Sequence, residues 1–347
     1  MSQVIDRRRF AGGLGALVSV PLLSRPARAD LKALEEAARR EGSLTWYTAH
    51  VDGETAELIG RRFTARYPGV KVNIVRTTAQ VAYERLQQDI RNNSPQCDVF
   101  SSTDPGHDEV LKARGLLAKF VPENAAFLND AFKGFDPDGF YFPTAAGLVM
   151  ITLNTRKVKP EEAPANWSDL LLPRWRRQVS VGHPAFSGYV GTWVLAMRSL
   201  YGWKFFEELE KGKPQIGRSV NDTVTMLNSG ERSVAAGPSN ATMISIDRGN
   251  PLGLIYPTDG AVLIIAPSAV MANAPHPNAG RLFMEFLLSQ EHMQITAEVR
   301  GESLRADVAP KPPMIPFSER KYIRQTVAQI QKGIPEVIEQ WRDTFGS

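Results

Sequence analysis

The run from Tyr256 to Gln290 restricts the fold more than any other part of the chain. Pro257-Thr258-Asp259-Gly260 predicts a tight turn, because Asp and Gly tolerate the backbone angles of a reversal. Ala261 to Ala266 is continuously apolar between Gly260 and Pro267. Such a run predicts a strand buried on both faces, the kind found inside an α/β sheet. A proline-bounded loop follows, Ala274-Pro275-His276-Pro277-Asn278. The helix expected from about Ala279 to Leu288 places Leu282, Phe283, Phe286 and Leu287 on one stripe.

The N-terminus reads as an export signal over residues 1–29. Arg7-Arg8-Arg9-Phe10 resembles a twin-arginine motif, Ala11 to Leu23 is mostly apolar, and Ala27-Arg28-Ala29 is a small-x-small cleavage site. Without that segment the chain carries 36 basic and 36 acidic residues, so the basic balance of the whole sequence belongs to the targeting segment. A mature net charge near zero gives no argument for nucleic acid, which asks for a basic patch. The remaining length exceeds what one core usually organises and predicts two lobes. The single cysteine, Cys97, precedes Asp98 in an expected buried strand and reads as an inert core thiol.

Taken in order, the chain alternates helix and strand. A helix from Leu31 to Glu41 leads to a strand from Ser43 to Tyr47, then a helix from Glu54 to Tyr67 and a strand from Val70 to Val75. Ligands of parallel sheets sit beyond the carboxyl ends of strands. Thr48, His50 and Thr78 occupy such positions and become candidate site residues. After the helix Val81 to Ile90, the strand Cys97 to Phe100 opens onto Ser101 and Ser102. These hydroxyls suit an oxygen-rich ligand, and N-capping of the following helix would equally account for them. Tyr141 to Thr144 and Leu148 to Asn154 read as a crossover, with Thr144 within reach of a cleft. Ser187-Gly188-Tyr189 is a small-residue turn entering a helix after the strand Val179 to Val181. Free backbone N–H groups at such a turn make a site for phosphate, carboxylate or sulfonate. Asn240 follows the strand Val234 to Gly237. Asp259 lies in the turn that begins the constraining run, where a turn role or a ligand contact would each explain it. Beyond the return crossover the chain is expected to be helical, including Ile323 to Ile330.

The chain resembles periplasmic solute-binding proteins of ABC importers, in the branch with ferric-binding and sugar-phosphate-binding members. The residues that carry the resemblance are Pro257-Thr258-Asp259-Gly260, His276-Pro277-Asn278-Ala279 and Phe283 to Glu291. Gly115-Leu116-Leu117, Asn154-Thr155 and Trp167 to Leu171 add to it. It implies a type 2 periplasmic-binding-protein fold: two α/β lobes with a ligand cleft between them, joined by crossover strands. The implied division is residues 30–142 plus 262–300 for lobe 1 and 143–261 plus 301–347 for lobe 2. It also carries an anion-contacting role onto Ser187, Gly188 and Tyr189, and it implies a periplasmic location, an ABC importer permease as partner and a monomer.

Ferric-binding relatives hold iron with an adjacent tyrosine pair where this chain has Asn240-Ala241-Thr242, and their carboxylate position falls at or near Thr103. His50 alone does not make an Fe(III) site, because Fe(III) favours anionic oxygen donors. The expected ligand is therefore a small organic anion: a sugar phosphate, a phosphonate or a carboxylate. No cofactor or metal is expected. Ferric iron bound by another donor set is the alternative. A hydrolase built on Ser187 is a second alternative, but no GxSxG elbow or HExxH pairing supports it.

Overall fold

The computed structural model describes residues 31–316 and 319–347, and the expected export signal lies outside them. The first lobe begins with α1 (Leu31–Glu41), β1 (Ser43–Thr48), α2 (Gly53–Arg66), β2 (Lys71–Arg76), α3 (Ala79–Arg91), β3 (Val99–Ser101) and α4 (Pro105–Ala113). Strand β1 pairs in parallel with β2 on one side and β3 on the other. The long β4 (Tyr141–Asn154) then leaves for the second lobe, which holds β5 (Val179–Gly182), α5 (Gly188–Tyr201), α6 (Lys204–Lys211), β6 (Gln215–Gly217), α7 (Asp222–Asn228), β7 (Val234–Pro238), α8 (Ser239–Asp247) and β8 (Leu252–Ile255). There β5 is parallel to both β6 and β7. Strand β9 (Ala261–Val270) returns to the first lobe, followed by α9 (Pro277–Leu287) and α10 (Gln290–Glu298). The chain closes with β10 (Tyr322–Arg324) and α11 (Val327–Phe345).

One continuous sheet joins the lobes, in the order β2-β1-β3-β9-β4-β7-β5-β6. Its middle is the antiparallel pair β4 and β9, in register from Tyr141 against Ala269 to Val149 against Val262. Every residue of β9 is buried, as the apolar run predicts. The register slips between Pro143 and Ala145, where Pro143 faces Pro267 across the pair. Two facing prolines withhold two ladder N–H donors, and a bulge is how a sheet accommodates that.

Each lobe has its own core. Trp46, Phe63, Phe283 and Phe286 meet edge-on or stacked between the β1 side and α9. The stripe expected on α9 is thus buried in the first lobe. In the second, Trp167, Trp193, Phe206 and Trp341 form a chain of T-shaped contacts that fixes α5, α6 and α11. Cys97 is free and buried, and burial pushes its thiol up.

Three expectations need correction. Ile323 lies in a strand rather than a helix, because β10 fills the edge of β9 at Ala261–Leu263 in parallel. The helix expected up to Ile330 starts only at Val327, capped by Thr326. Asp259 belongs to the scaffold: its Oδ2 accepts from Trp167 N at 3.1 Å and from the Tyr201 hydroxyl, and Trp167 Nε1 donates to Gly260 O at 2.9 Å. The turn thereby pins the entry of β9 to the second core. Hydrogen bonds to a charged acceptor contribute about 2 kcal/mol, so Asp259→Ala should destabilise the protein by roughly that amount in urea denaturation. The same variant should bind ligand as the wild type does.

Candidate functional site

The parallel strands of both lobes point their carboxyl ends at one cleft of about 530 Å³. From the first lobe it is lined by Ala49, His50, Val51 and Asp52 after β1, by Arg76, Thr78 and Ala79 after β2, and by Thr103 after β3. From the second come Ser187 and Tyr189 after β5, Ser219 and Asn221 after β6, and Pro238, Asn240 and Ala241 at the end of β7.

Three helices start in this cleft, and none has a side-chain cap. They are α3 with Thr78 at its N-cap, α5 with Ser187, and α8 with Pro238. The first N–H groups of a helix have no acceptor within it and carry its positive dipole end. Helices α6, after Trp203, and α7, after Asn221, also begin without a side-chain cap, whereas other helix starts are satisfied. Asp52 caps α2, Asp104 caps α4, Ser289 caps α10 and Thr326 caps α11. Helix α9 has no cap of its own, but Glu41 accepts from Asn278 N at 3.2 Å and Ala279 N at 2.7 Å. Among the described residues Arg76 alone adds a formal positive charge to the lining; its Nε donates to Val51 O at 2.8 Å and its side chain is exposed. The Asp52 carboxylate that also lines the cleft is turned to the start of α2 as its cap. The cleft is thus built from dipoles and one guanidinium, an arrangement suited to an anion.

His50 is buried against Trp46, with ring centroids 5.6 Å apart, and neither ring nitrogen has a protein partner. Burial above all, then repulsion from His292 where both rings are protonated and from the Arg76 guanidinium, lowers its pKa to about 3, so the imidazole is neutral. Thr78 Oγ1 is likewise buried without a partner. Burial raises the pKa of the Tyr189 phenol and holds it protonated. Its hydroxyl rests over Gly147 of β4, where an added Cβ would come within 2.0 Å of it.

Of the candidates drawn from sequence, His50, Thr78, Ser187, Tyr189 and Asn240 come together here. Gly188 stands just behind, where a Cβ would lie 2.4 Å from Thr103 O across the cleft. The others are placed differently. Thr48 is fully buried at the end of β1 and does not line the cleft. Ser101 Oγ accepts from Trp46 Nε1 at 2.8 Å and meets Ser268 Oγ at 2.5 Å. Thr144 Oγ1 meets the same Ser268 and so is consumed at the bulge. Ser102 Oγ bonds His107 Nδ1 at 2.9 Å and accepts from Asp104 N at 3.0 Å, in front of α4. Ser101, Ser102, Thr144 and Asp259 are thus occupied by the protein itself. Arg76, Ser219 and Asn221 were not among the candidates. Arg76 closes a strand directly before Thr77-Thr78, so a search for bases as well as hydroxyls at strand ends would have found it.

A neutral buried histidine couples stability to pH. In the unfolded chain it takes up a proton below about pH 6.5, and in the fold His50 does so only near pH 3. Its contribution is present above pH 6.5 and is lost as pH falls toward 3, at roughly 1.4 kcal/mol per unit. Denaturation of the ligand-free protein should therefore show a shallower loss of stability between pH 6.5 and 4 in His50→Gln than in the wild type.

Residues 94–324 match the family of bacterial extracellular solute-binding proteins. Iron uptake protein A1 of Synechocystis is 24% identical, with 86% of each chain covered. Among solved structures, AfuA from Actinobacillus pleuropneumoniae with fructose-6-phosphate bound superposes with a TM-score of 0.80 at 20% identity. That comparison covers 88% of this chain and 99% of AfuA. Iron-bound HitA from Pseudomonas aeruginosa superposes with a TM-score of 0.75 at 21% identity, covering 87% and 99%. The shared architecture is the two-lobed type 2 fold of periplasmic binding proteins.

Proposed function

This chain belongs to the bacterial extracellular solute-binding proteins, and from that premise we propose that it captures a small organic anion in the periplasm for an ABC importer permease. The observation that carries the choice of ligand is the convergence of α3, α5 and α8, all uncapped, on the cleft beside Arg76. Sugar phosphates, phosphonates and carboxylates each present the oxygens such N–H groups satisfy. The donors on hand suit ferric cargo poorly. Asp52 is engaged as the cap of α2, His50 is neutral, and burial disfavours a Tyr189 phenolate. Fe(III) asks for several anionic oxygens.

Thermal denaturation against fructose 6-phosphate, aminoalkyl phosphonates, small carboxylates and Fe(III)-citrate tests this. A ligand at a thousand times its Kd adds about 4 kcal/mol of stability. Stabilisation by one of the organic anions, weakened about tenfold in affinity by Arg76→Ala, is the expected result. A shift with Fe(III)-citrate alone would overturn it.

Delivery to a permease requires that ligand select a closed state. The proposed lobes, residues 30–142 plus 262–300 and 143–261 plus 301–347, would hinge at the bulge of β4 beside Pro267. Gly188 lets the start of α5 meet the Thr103 backbone of the facing lobe. A methyl there should hold the lobes apart. Gly188→Ala is expected to lower affinity by about tenfold or more, the effect of a 1.4 kcal/mol bias. In solution scattering it should also show a smaller contraction at saturation.

A further inference from the structure

Beside the anion cradle the cleft continues into a second, smaller compartment. The two share His50, Val51, Asp52, Tyr189 and Asn240, so one ligand can occupy both. The inner compartment differs in chemistry. Ile59, Ala145, Ala146, Ile295 and Val299 give it apolar walls, Thr55 and Thr296 add hydroxyls beside the Asp52 cap, and among the described residues no lysine or arginine lines it. Its one unusual polar feature is His292, which is 2% exposed.

The tautomer of His292 follows from its surroundings. Nδ1 lies 2.7 Å from Leu287 O, a carbonyl that can only accept, so Nδ1 carries a proton. Burial lowers the pKa of the ring to about 4, so it is neutral and Nε2 is a bare acceptor. Nε2 is buried and has no hydrogen-bond partner among the described residues. A buried acceptor left unmade is costly, and this one lines a compartment from which a ligand donor can complete it. His50, whose two nitrogens are also unpartnered, stands at the passage between the compartments.

We propose that the inner compartment is a specificity subsite for the uncharged end of the ligand: a short, compact carbon skeleton bearing one hydrogen-bond donor, a hydroxyl, received by His292 Nε2. This rests on the anion reading of the outer cleft and deepens it. The ligand is then a small phosphate or carboxylate with a hydroxyl remote from the acid. Inorganic phosphate or a fully apolar acid would fill only part of the site. A hydroxyl-binding site rejects the analogue that lacks the hydroxyl, because its own buried group is then left unpaired.

Titration calorimetry on the mature chain with matched probes tests the subsite. The probes are inorganic phosphate, propyl phosphate and 3-hydroxypropyl phosphate, with butyrate and 4-hydroxybutyrate as the carboxylate pair. In the wild type the hydroxylated member of a pair should bind about tenfold more tightly than its apolar partner, the effect of one buried hydrogen bond. In His292→Asn the side-chain amide keeps a donor for Leu287 O and removes the Nε2 acceptor. That variant should lose the preference for hydroxyl and retain the affinity for phosphate and propyl phosphate. Should His292→Asn fail to fold, the wild-type pairs still decide. Equal affinity for both members of each pair, with phosphate or butyrate bound, would overturn the subsite and leave the anion cradle standing. No binding of any probe would overturn the cradle and the subsite together.

Discussion

The antiparallel pairing of β4 with β9 is the constraint on which the rest of the structure depends. Each of these strands serves both lobes, and their ladder runs from Tyr141–Ala269 to Val149–Val262. On one flank it receives β3 against Val99–Val270, and on the other β7 against Val149–Pro238. Because the pair is antiparallel, the parallel strands attached to its two sides point their carboxyl ends toward each other. The loops after β1, β2 and β3 must then face those after β5, β6 and β7, and a cleft follows from the connectivity alone. Pro143, Pro267 and the hydroxyls of Ser101, Thr144 and Ser268 sit in the middle of that pairing. Polar groups there complete the ladder that the prolines interrupt, and have none left over for a ligand.

The same topology explains where free donors accumulate. A helix following a parallel strand begins at the strand's carboxyl end, so its unsatisfied N–H groups point into the cleft. Where the fold closes such groups it supplies a side-chain acceptor, a hydroxyl at α10 and α11 and a carboxylate elsewhere. Glu41 closes α9, and Glu285 accepts from Glu123 N at 2.6 Å and Asn124 N at 3.1 Å. These two pairs are internal examples of the recognition proposed for α3, α5 and α8. A buried carboxylate fixed across helix N-termini is the closed form of an anion site, and the three helix starts in the cleft are its open form.

Much of this was legible from sequence, and the limits have a physical pattern. Alternation of apolar strands with amphipathic helices located most strands and helices within a residue or two, and strand ends marked His50, Thr78, Ser187, Tyr189 and Asn240. The His276-Pro277-Asn278-Ala279 segment also acquires a mechanical meaning. His276 N donates to Asp98 Oδ1 at 2.6 Å while Thr45 N donates to Asp98 Oδ2 at 2.7 Å, so the loop ties α9 to the start of β3 and to β1. What sequence could not separate was a hydroxyl facing a ligand from one facing its own backbone. Ser101 and Thr144 carry the same functional group as Thr78, and only the partner across the sheet distinguishes them. His292 was invisible for the opposite reason: it lies on α10, far along the chain, and reaches the site only through the tertiary packing of that helix against α9.

The cleft also has a consistent electrostatic logic. Its potential comes mainly from fixed backbone dipoles, with one exposed arginine at the rim and neutral imidazoles within. A buried ion pair would demand desolvation of both partners, which the mutual attraction often fails to offset. Backbone N–H groups at a helix start are already oriented and partly desolvated, so an anion that enters loses water on its own side only. These donors are divided between the lobes, α3 in the first and α5 and α8 in the second, so under the proposed anion reading a single anion would be fully coordinated only when both lobes meet. That division makes differential affinity for the closed state a consequence of where the helices begin, without any residue dedicated to the switch.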